Sequence, residues 1–259
     1  MKKILFLLLF VPLFIEAQTP GQRFYANKPT IAATDPYWSN VVLLMKAVGT
    51  SGSSFVDSKN AYTLTNTNVS VSSDTPFASS TGSMDGTSTG FLTVSTSGVN
   101  FNPGTSNFTI EAWVKLPLNH PDGMVIVFTR AWSAYNYLVF AILNDGTANF
   151  IVGHQISGFV GISGVGSIPS NTWRHIAMVR EGNVISGYIN GSRVGQGTLT
   201  SSATNLNSTL STQNPGIGGY THDAFGRNNG KLYDVRYTVG VARYSGTTYT
   251  VPTTPFPTQ

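Results

Sequence analysis

The feature that most constrains this fold is a succession of short apolar or alternating segments, separated by clusters of glycine, serine, asparagine and proline. Each segment has the length of a β-strand, and no longer window has a convincing helical period of hydrophobic residues. Glycine, proline and asparagine clusters between such segments are typical of turns. We therefore predict strands at residues 41–46, 91–95, 108–116, 124–129, 135–143, 149–152, 173–179 and 184–189.

The segment 108–116 shows the alternation most clearly. Side chains two positions apart in a strand share a face. One face then carries Phe108, Ile110, Ala112, Val114 and Leu116, and the other carries Thr109, Glu111, Trp113 and Lys115. Hairpin signals lie at Asn144-Asp145-Gly146 and at Asn190-Gly191. Regular strand spacing without a fixed repeat favours a β-sandwich or jelly roll over a propeller or a solenoid.

Composition excludes several other classes. Only 10% of residues are charged, whereas 12% are aromatic and 27 are glycine, which excludes a coiled coil, a helical bundle and a charged disordered chain. The chain has no cysteine, so its core must hold it together without disulfides. The formal net charge is +4, and the basic residues are scattered, which argues against nucleic acid as a partner.

The amino terminus has the pattern of a secretory signal. Lys2 and Lys3 precede an apolar run that is too short to span a bilayer, and Ala17 supplies a small residue for cleavage. We expect a signal peptide at 1–17, a proline-containing arm at 18–37 and one domain at 38–259, secreted or held at the cell surface. No later segment is apolar for long enough to predict a membrane span.

Three segments, in order and spacing, resemble the signature strands of laminin G-like, concanavalin A-like domains. They are NFTIEAWVKL at 107–116, NTWRHIAMVREGNVISGYINGSRVG at 171–195, and IGGY with NGKLYDVRY within 217–237. The resemblance implies an all-β fold, a two-sheet antiparallel jelly-roll sandwich. It also implies a surface that presents loops or a concave face to glycans or proteins.

The carboxyl-terminal segment, DVRYTVGVARYSGTTYTVPTTPFPT, is similar to the end of laminin G-like domains of phage tail and virion proteins. This resemblance implies an alternative function, a phage-derived structural or adhesion protein of the virion. A signal sequence departs from the usual phage tail protein, which assembles inside the host cell.

The residues for catalysis are missing from the sequence pattern. Some members of the superfamily hydrolyse β-glucans with two glutamates set two or four residues apart on one strand, which places both on one face. Beyond the signal segment this chain has only Glu111 and Glu181, and we expect a structural hydrogen bond or a solvated position for Glu111. The string from Gly86 to Gly90 matches a nucleophile elbow, but a strand-like segment follows it, so we interpret it as a turn. We expect no enzymatic activity.

Calcium is the one cofactor that the resemblance suggests. Asp57, Asp85 and Asp234 match acidic positions of the family pattern, and calcium prefers such oxygen ligands. The alternative is that Asp57 and Asp85 stabilise turns, a common role of aspartate before serine or glycine. The histidines are too widely spaced to predict a zinc site; they are His120, His154, His175 and His222.

Carbohydrate recognition needs aromatic faces beside hydrogen-bonding side chains, presented in a groove or loop cluster. Two segments outside the signature strands carry that mixture. The predicted ligand-binding residues are Trp132, Tyr135, Tyr137, His154, Tyr220, His222, Asp223 and Arg227. Trp113 and Trp173 lie in signature segments, and we interpret both as core packing. The sequence therefore predicts a secreted, non-catalytic module that binds a carbohydrate or a cell-surface glycoconjugate.

Overall fold

Two antiparallel β-sheets form the framework of residues 33–259, which make one unit in a computed structural model of the 259-residue chain. The two-sheet antiparallel architecture is the one that the resemblance implied. Within the described residues, the sheets contain nine and seven strands. The structure describes residues 34–78, 80–86, 89–95, 101–117, 124–130, 137–143, 146–154, 158–200, 206, 214–219 and 230–259.

Sheet A has nine strands, and its main path runs β14-β13-β12-β7-β16-β1-β2. Strand β5 pairs with β16 and with β4. The strands of sheet A are β1 (Val41–Ala47), β2 (Phe55–Asp57), β4 (Ser70–Ser72), β5 (Ser83–Asp85), β7 (Phe108–Lys115), β12 (Arg174–Glu181), β13 (Val184–Ile189), β14 (Ser192–Thr198) and β16 (Lys231–Val239).

Sheet B has seven strands in the order β11-β10-β9-β8-β15-β6-β3. They are β3 (Leu64–Thr67), β6 (Phe91–Val94), β8 (Met124–Arg130), β9 (Tyr137–Leu143), β10 (Ala148–His154), β11 (Gly158–Val165) and β15 (Gly216–Ile217). One short 3-10 turn, Trp38–Asn40, precedes β1. In the part of the chain described above, no helix has the length and apolar character needed to cross a membrane.

The predicted strands and the predicted Asn190-Gly191 turn agree with this arrangement, whereas Asn144 and Asp145 of the other predicted turn lie outside the described residues. Each of the eight predicted segments overlaps a strand, namely β1, β6, β7, β8, β9, β10, β12 and β13. The Asn190-Gly191 turn joins β13 to β14, with φ values of 48° and 84°. Positive φ at both central residues is the conformation that asparagine and glycine favour in tight hairpins. Strand β6 begins at Phe91, so the elbow-like string does precede a strand.

The core lies between the sheets and uses one face of β7. Phe108, Ile110, Ala112 and Val114 are all fully buried there, with Phe140 and Phe150 of sheet B in the same cluster. This confirms the predicted apolar face.

Thr109, Glu111 and Trp113 on the opposite face of β7 are also buried, and Lys115 at its end is half-buried. A C-terminal strap, residues 240–259, packs on this outer face of sheet A. Tyr244 and Tyr249 of the strap contact a buried cluster on β12 and β13, and Phe256 packs with Val41 and Leu44 of β1. Sheet A is therefore covered on both faces at these positions.

The fold begins before the predicted boundary at residue 38. Asp35 is only 6% exposed, and its backbone N–H donates to the carbonyl of Gln259 at 2.7 Å. Its carboxylate pairs with Arg236 of β16 and with Arg243 of the strap. A buried carboxylate requires partners, and those of Asp35 lie on β16 and on the strap. The end of the predicted arm is therefore part of the domain.

Candidate functional site

A polar cleft of about 270 Å³ lies where several strands of sheet A end. Its size is close to the lower end of the range for small-molecule sites, about 300 to 1,000 Å³. We call it the rim cleft, and its lining includes Asp74, Asp85, Lys115, Pro117, Asn171 and Lys231. These residues come from five separate parts of the sequence.

Strand register explains why these residues meet. Lys231, the first residue of β16, pairs with Asp85 of β5 on one side and with Lys115 of β7 on the other. The backbone N–H of Gly86 donates to the carbonyl of Gly230 at 3.0 Å, which holds the two strand ends together. Asp74 follows β4, and the Ser83 hydroxyl donates to its carbonyl at 2.7 Å. The side chains of the cleft therefore project from a fixed framework.

The charged side chains of the rim cleft form two ion pairs. Lys115 Nζ lies 2.8 Å from Asp74 Oδ2, and their side chains are 18% and 35% exposed. Lys231 Nζ lies 2.6 Å from Asp85 Oδ2, with exposures of 21% and 39%. Pairs as exposed as these contribute only about 0 to 1 kcal/mol to stability. Their polar atoms remain accessible to a ligand.

Trp173 adjoins the cleft through a hydrogen bond. Its Nε1–H donates to Asp74 Oδ1 at 3.1 Å, and its side chain is only partly buried. Strand β12 begins one residue later, at Arg174. The interpretation of Trp173 as core packing is therefore wrong, because the residue precedes the strand and keeps an exposed surface. Trp113, by contrast, is 8% exposed and packs edge-on against Phe77 and His175, as predicted for a packing residue.

Asn171 adopts a conformation that suits its position in the turn before β12. Its φ is 55°, in the left-handed region that asparagine tolerates better than most residues. Its backbone N–H donates to the carbonyl of Leu116 at 2.8 Å, which fixes the turn against the end of β7. An exposed amide, able to donate and to accept, thus lines the cleft.

Asp74 is ionised in this environment. Burial raises the pKa of its carboxyl, but hydrogen bonds from Lys115 and Trp173, with the charge of Lys115, lower the pKa overall. A general acid must hold a proton near neutral pH. The local electrostatics therefore make Asp74 a hydrogen-bond acceptor and a poor proton donor.

A second charged cluster lies under the C-terminal strap, and we call it the strap network. Its members are Asp35, Glu111, His175, Arg236, Arg243 and Tyr244. Register places Glu111 opposite Arg236, whose Nη2 lies 2.8 Å from Glu111 Oε1. His175 Nε2 and the Tyr244 hydroxyl both approach Glu111 Oε2, at 3.2 and 2.5 Å. Glu111 is fully buried, so the expected structural role is confirmed and the solvated alternative is wrong.

Electrostatics keep Glu111 charged in this buried position. Burial raises the pKa of its carboxyl, but Arg236 and His175 together hold it well below its usual range. Glu181, at the other end of β12, is exposed. The two glutamates considered for catalysis therefore do not form a pair.

The three aspartates proposed for calcium have other partners. Asp57 is 3% exposed, and its oxygens accept backbone N–H groups from Leu44, Lys59, Ala61 and Tyr62. Asp234 accepts from Lys46 and from the N–H of Phe256, and Asp85 pairs with Lys231. Among the described residues, no three acidic, histidine or cysteine side chains form a group that could hold a metal. The three aspartates do not fit one calcium site, and calcium at any single one stays a prediction.

Most of the predicted ligand-binding residues lie outside the described residues. These are Trp132, Tyr135, Tyr220, His222, Asp223 and Arg227. Only the backbone is described for the other two, Tyr137 and His154. Tyr137 starts β9 and pairs with Gly153 of β10, next to His154, so the structure brings these two to one end of sheet B.

Sequence reasoning missed most of the rim cleft. Only Asp85 was singled out, as a metal ligand, whereas Asp74, Lys115, Asn171 and Lys231 were not. One signal was available: Lys115 and Lys231 stand at the ends of two signature segments. The ends of strands are where binding residues can vary without disturbing the core.

Comparison with known proteins agrees with the fold. One similar structure is domain 4 of AbnA, an extracellular arabinanase from Geobacillus stearothermophilus, which was solved in complex with arabinotriose. The match covers 72% of this chain and 87% of that domain, with 16% sequence identity and a TM-score of 0.54. The binding domain of botulinum neurotoxin serotype D matches 78% of this chain, with 12% identity and a TM-score of 0.55. This chain spans about half of that neurotoxin domain, 48%. Identities this low show a shared fold only.

Sequence comparison identifies the family. No curated protein matches the chain at a significant level. A family model for laminin G-like domains, described as the concanavalin A-like lectin/glucanases superfamily, matches residues 85–238, more than half of the chain. The similarity of the carboxyl-terminal segment to phage domains stays a prediction. With its two-sheet antiparallel sandwich, the chain belongs to the concanavalin A-like lectin/glucanase superfamily.

Proposed function

We propose that this chain is an exported, non-catalytic recognition module that binds glycans through the rim cleft. One observation carries the proposal: two accessible ion pairs, an exposed amide and a partly exposed indole meet at one end of a lectin-like sandwich. The arabinanase domain of similar fold was solved in complex with arabinotriose, which supports a carbohydrate as the ligand.

The chemistry of the cleft suits sugar hydroxyl groups. A hydroxyl both donates and accepts, so it can bind a carboxylate and an ammonium group at the same time. Asp74 and Asp85 supply acceptors, and Lys115 and Lys231 supply donors. The ring of Trp173, anchored on Asp74, can pack against the apolar C–H face of a sugar.

The ligand contacts predicted from the sequence remain part of this proposal, although most of them lie outside the described residues. Residues 220–228 end two positions before Gly230, which lines the cleft. We expect Tyr220, His222, Asp223 and Arg227 to act as ligand contacts. The group of Trp132, Tyr135, Tyr137 and His154 would form a second contact region.

Two of the described carboxylates, those of Glu111 and Asp74, support a binding role over catalysis. Retaining glycosidases need a nucleophile and a protonated acid about 5 Å apart, and inverting enzymes also need a protonated acid. Glu111 is buried under the strap, and the pKa of Asp74 is lowered, although burial alone would raise it. Neither side chain can serve as that acid.

The glycan-binding test uses residues 18–259 on a glycan array, followed by calorimetric titration of each glycan that binds. Asp74→Asn and Trp173→Ala are expected to weaken binding by about 1 to 3 kcal/mol, as for a contact residue at the centre of an interface. Glu181→Gln is the matched control, because it also removes an exposed carboxylate but lies at the far end of β12. Equal effects of Asp74→Asn and Glu181→Gln would contradict the assignment of the cleft.

Export is tested separately. We expect the secreted protein to begin near Gln18, after removal of the segment that contains Lys2, Lys3 and the apolar run. Amino-terminal sequencing of protein from the medium measures this directly. Recovery of an intact Met1 terminus from the cytosol or from virions would contradict it.

A further inference from the structure

The rim cleft has no net charge among its described lining residues. Lys115 pairs with Asp74 at 2.8 Å, and Lys231 pairs with Asp85 at 2.6 Å. Two positive and two negative side chains therefore cancel. The remaining described lining consists of uncharged residues such as Pro117 and Asn171.

An anionic sugar would lose hydration in this cleft without gaining a cation that is free to pair with it. Sialic acids, uronic acids and sulfated sugars are recognised by cations that are free to pair with them, commonly the planar fork of arginine. Here each lysine already has a carboxylate partner, and the side chains of Asp74 and Asp85 are 35% and 39% exposed. For an anion that approached either lysine, repulsion from that carboxylate would offset the attraction of the ammonium group, so the cost of desolvating the anion would not be compensated.

A neutral sugar can use the same groups without breaking either ion pair. An ammonium group has three donors, and a carboxylate has about four acceptor sites. Lys231 uses two donors, on Asp85 and on the Ser72 hydroxyl, and Asp74 accepts from Lys115 and Trp173. Within the described residues, spare donors and acceptors therefore remain side by side. Neighbouring hydroxyls of one sugar ring match that pattern, because one can accept while the next donates.

We infer that the rim cleft selects neutral glycans and discriminates against sialylated, uronic and sulfated ones. This inference rests on the proposed function, since it names the class of ligand for the same cleft. It assigns the selectivity to the two lysine–aspartate pairs.

The first test compares matched oligosaccharides that differ by one acidic group. Residues 18–259 are titrated with a neutral glycan identified on the array and with its sialylated or sulfated derivative, between low and high salt. We expect the neutral glycan to bind about tenfold tighter or more, with an affinity nearly independent of salt, because screening acts on net charge–charge attraction. Tighter binding of the acidic derivative, with a steep loss in salt, would overturn the inference and leave glycan recognition intact. Binding of neither class would overturn the proposed function itself.

The second test removes the carboxylate partners of the two lysines. The double variant Asp74→Asn/Asp85→Asn keeps the shape of the cleft and leaves Lys115 and Lys231 without anionic partners. We expect the ratio of acidic to neutral affinity to rise about tenfold, as for the removal of like charge beside an ion-pair site. Glu181→Gln removes charge far from the cleft and should leave the ratio unchanged. An unchanged ratio in a folded double variant would overturn the assignment of selectivity to these pairs.

Discussion

The strap network and the rim cleft both join acidic and basic side chains of sheet A, but they differ in burial. Members of the strap network such as Glu111 and Arg236 are 0% to 5% exposed, whereas the side chains of the cleft are 18% to 39% exposed. The network uses arginine, which forms several directed hydrogen bonds, and the cleft uses lysine. Because the charges of the strap network are buried, they interact only with one another. The charges of the rim cleft are exposed and can also contact a ligand.

The network also joins parts of the chain that are distant in sequence. Asp35 precedes β1, Glu111 is in the middle of β7, and Arg243 lies in the strap. Arg236 of β16 pairs with both Asp35 and Glu111, and Arg243 pairs with Asp35, so these segments share partners for their charges. An uncompensated buried charge is costly, so losing one segment would affect the others. The cleft pairs also join distant segments, but water can replace a missing partner there.

The largest expected effect comes from Glu111→Gln. The substitution removes one of the two carboxylates that pair with the buried Arg236, the other being that of Asp35. Breaking a buried pair by removing one partner costs about 3 to 5 kcal/mol. Urea denaturation followed by tryptophan fluorescence measures the change in the free energy of unfolding. A loss below about 1 kcal/mol, as for an exposed pair, would remove the distinction between the two regions.

Trp113 and Trp173 give a second contrast between the same regions. Trp113→Ala removes a buried ring in contact with Phe77 and His175, and we expect a loss of about 3 kcal/mol, the lower end for a large aromatic. Trp173→Ala removes a partly exposed ring and one hydrogen bond, so about 1 kcal/mol is expected. The comparison uses urea midpoints at constant m-value. Equal losses would mean that Trp173 is a packing residue after all.

The pH dependence of Glu111 follows from its lowered pKa. Burial alone would raise this pKa, but the opposite effect of Arg236 and His175 is larger, so the net shift is downward. The folded protein therefore binds fewer protons at Glu111 than the unfolded chain does. The stabilisation is complete above the unfolded pKa and is lost as pH falls through and below it. Below about pH 4.3, wild-type stability should lose about 1.4 kcal/mol per pH unit relative to Glu111→Gln, which cannot titrate. A difference that stays constant between pH 6 and pH 3 would contradict this linkage.

Much of the fold could be predicted because the larger strands carry their own signal. The alternation of Phe108 to Leu116 and the Asn190-Gly191 turn each depend on a few consecutive residues. Strands β2, β4 and β5 have three residues each, too few for a period to be visible. They exist because neighbouring strands supply hydrogen bonds, as β16 does for β5. Local sequence does not contain that information.

The candidate site was harder to predict for the same reason. Asp74 and Trp173 are 99 positions apart, and only the sheet brings them within hydrogen-bond distance. Glu111 shares its alternating face with Lys115, yet one is buried under the strap and the other lines the cleft. A strand pattern shows which residues share a face. It does not show what covers that face further along the strand.

Asp74→Asn should have a small effect on stability. It removes the partner of Lys115, but both side chains are in contact with water, and an exposed pair contributes about 0 to 1 kcal/mol. We therefore expect a change within that range in urea, alongside the much larger loss for Glu111→Gln. Lys115→Met on the same background gives a double-mutant cycle for the pair. A coupling free energy above about 2 kcal/mol would show that the cleft is part of the stabilising framework.

Calcium is expected to have the smallest effect of all. The oxygens of Asp57 accept four backbone N–H groups, Asp234 is held by Lys46 and Phe256, and Asp85 by Lys231. An ion at any of them would have to displace these donors. A site filled at one hundred times its dissociation constant would add about 2.7 kcal/mol of stability, or roughly 5 to 10 °C in Tm for a domain of this size. If calcium binds at one of these aspartates, we expect only a fraction of that rise between chelator and millimolar calcium, because the ion competes with the donors already present. A full rise in Tm that is lost in Asp85→Asn but kept in Glu181→Gln would contradict this expectation. It would place a cation in the rim cleft and show that the lysine–aspartate pairs separate when a ligand binds.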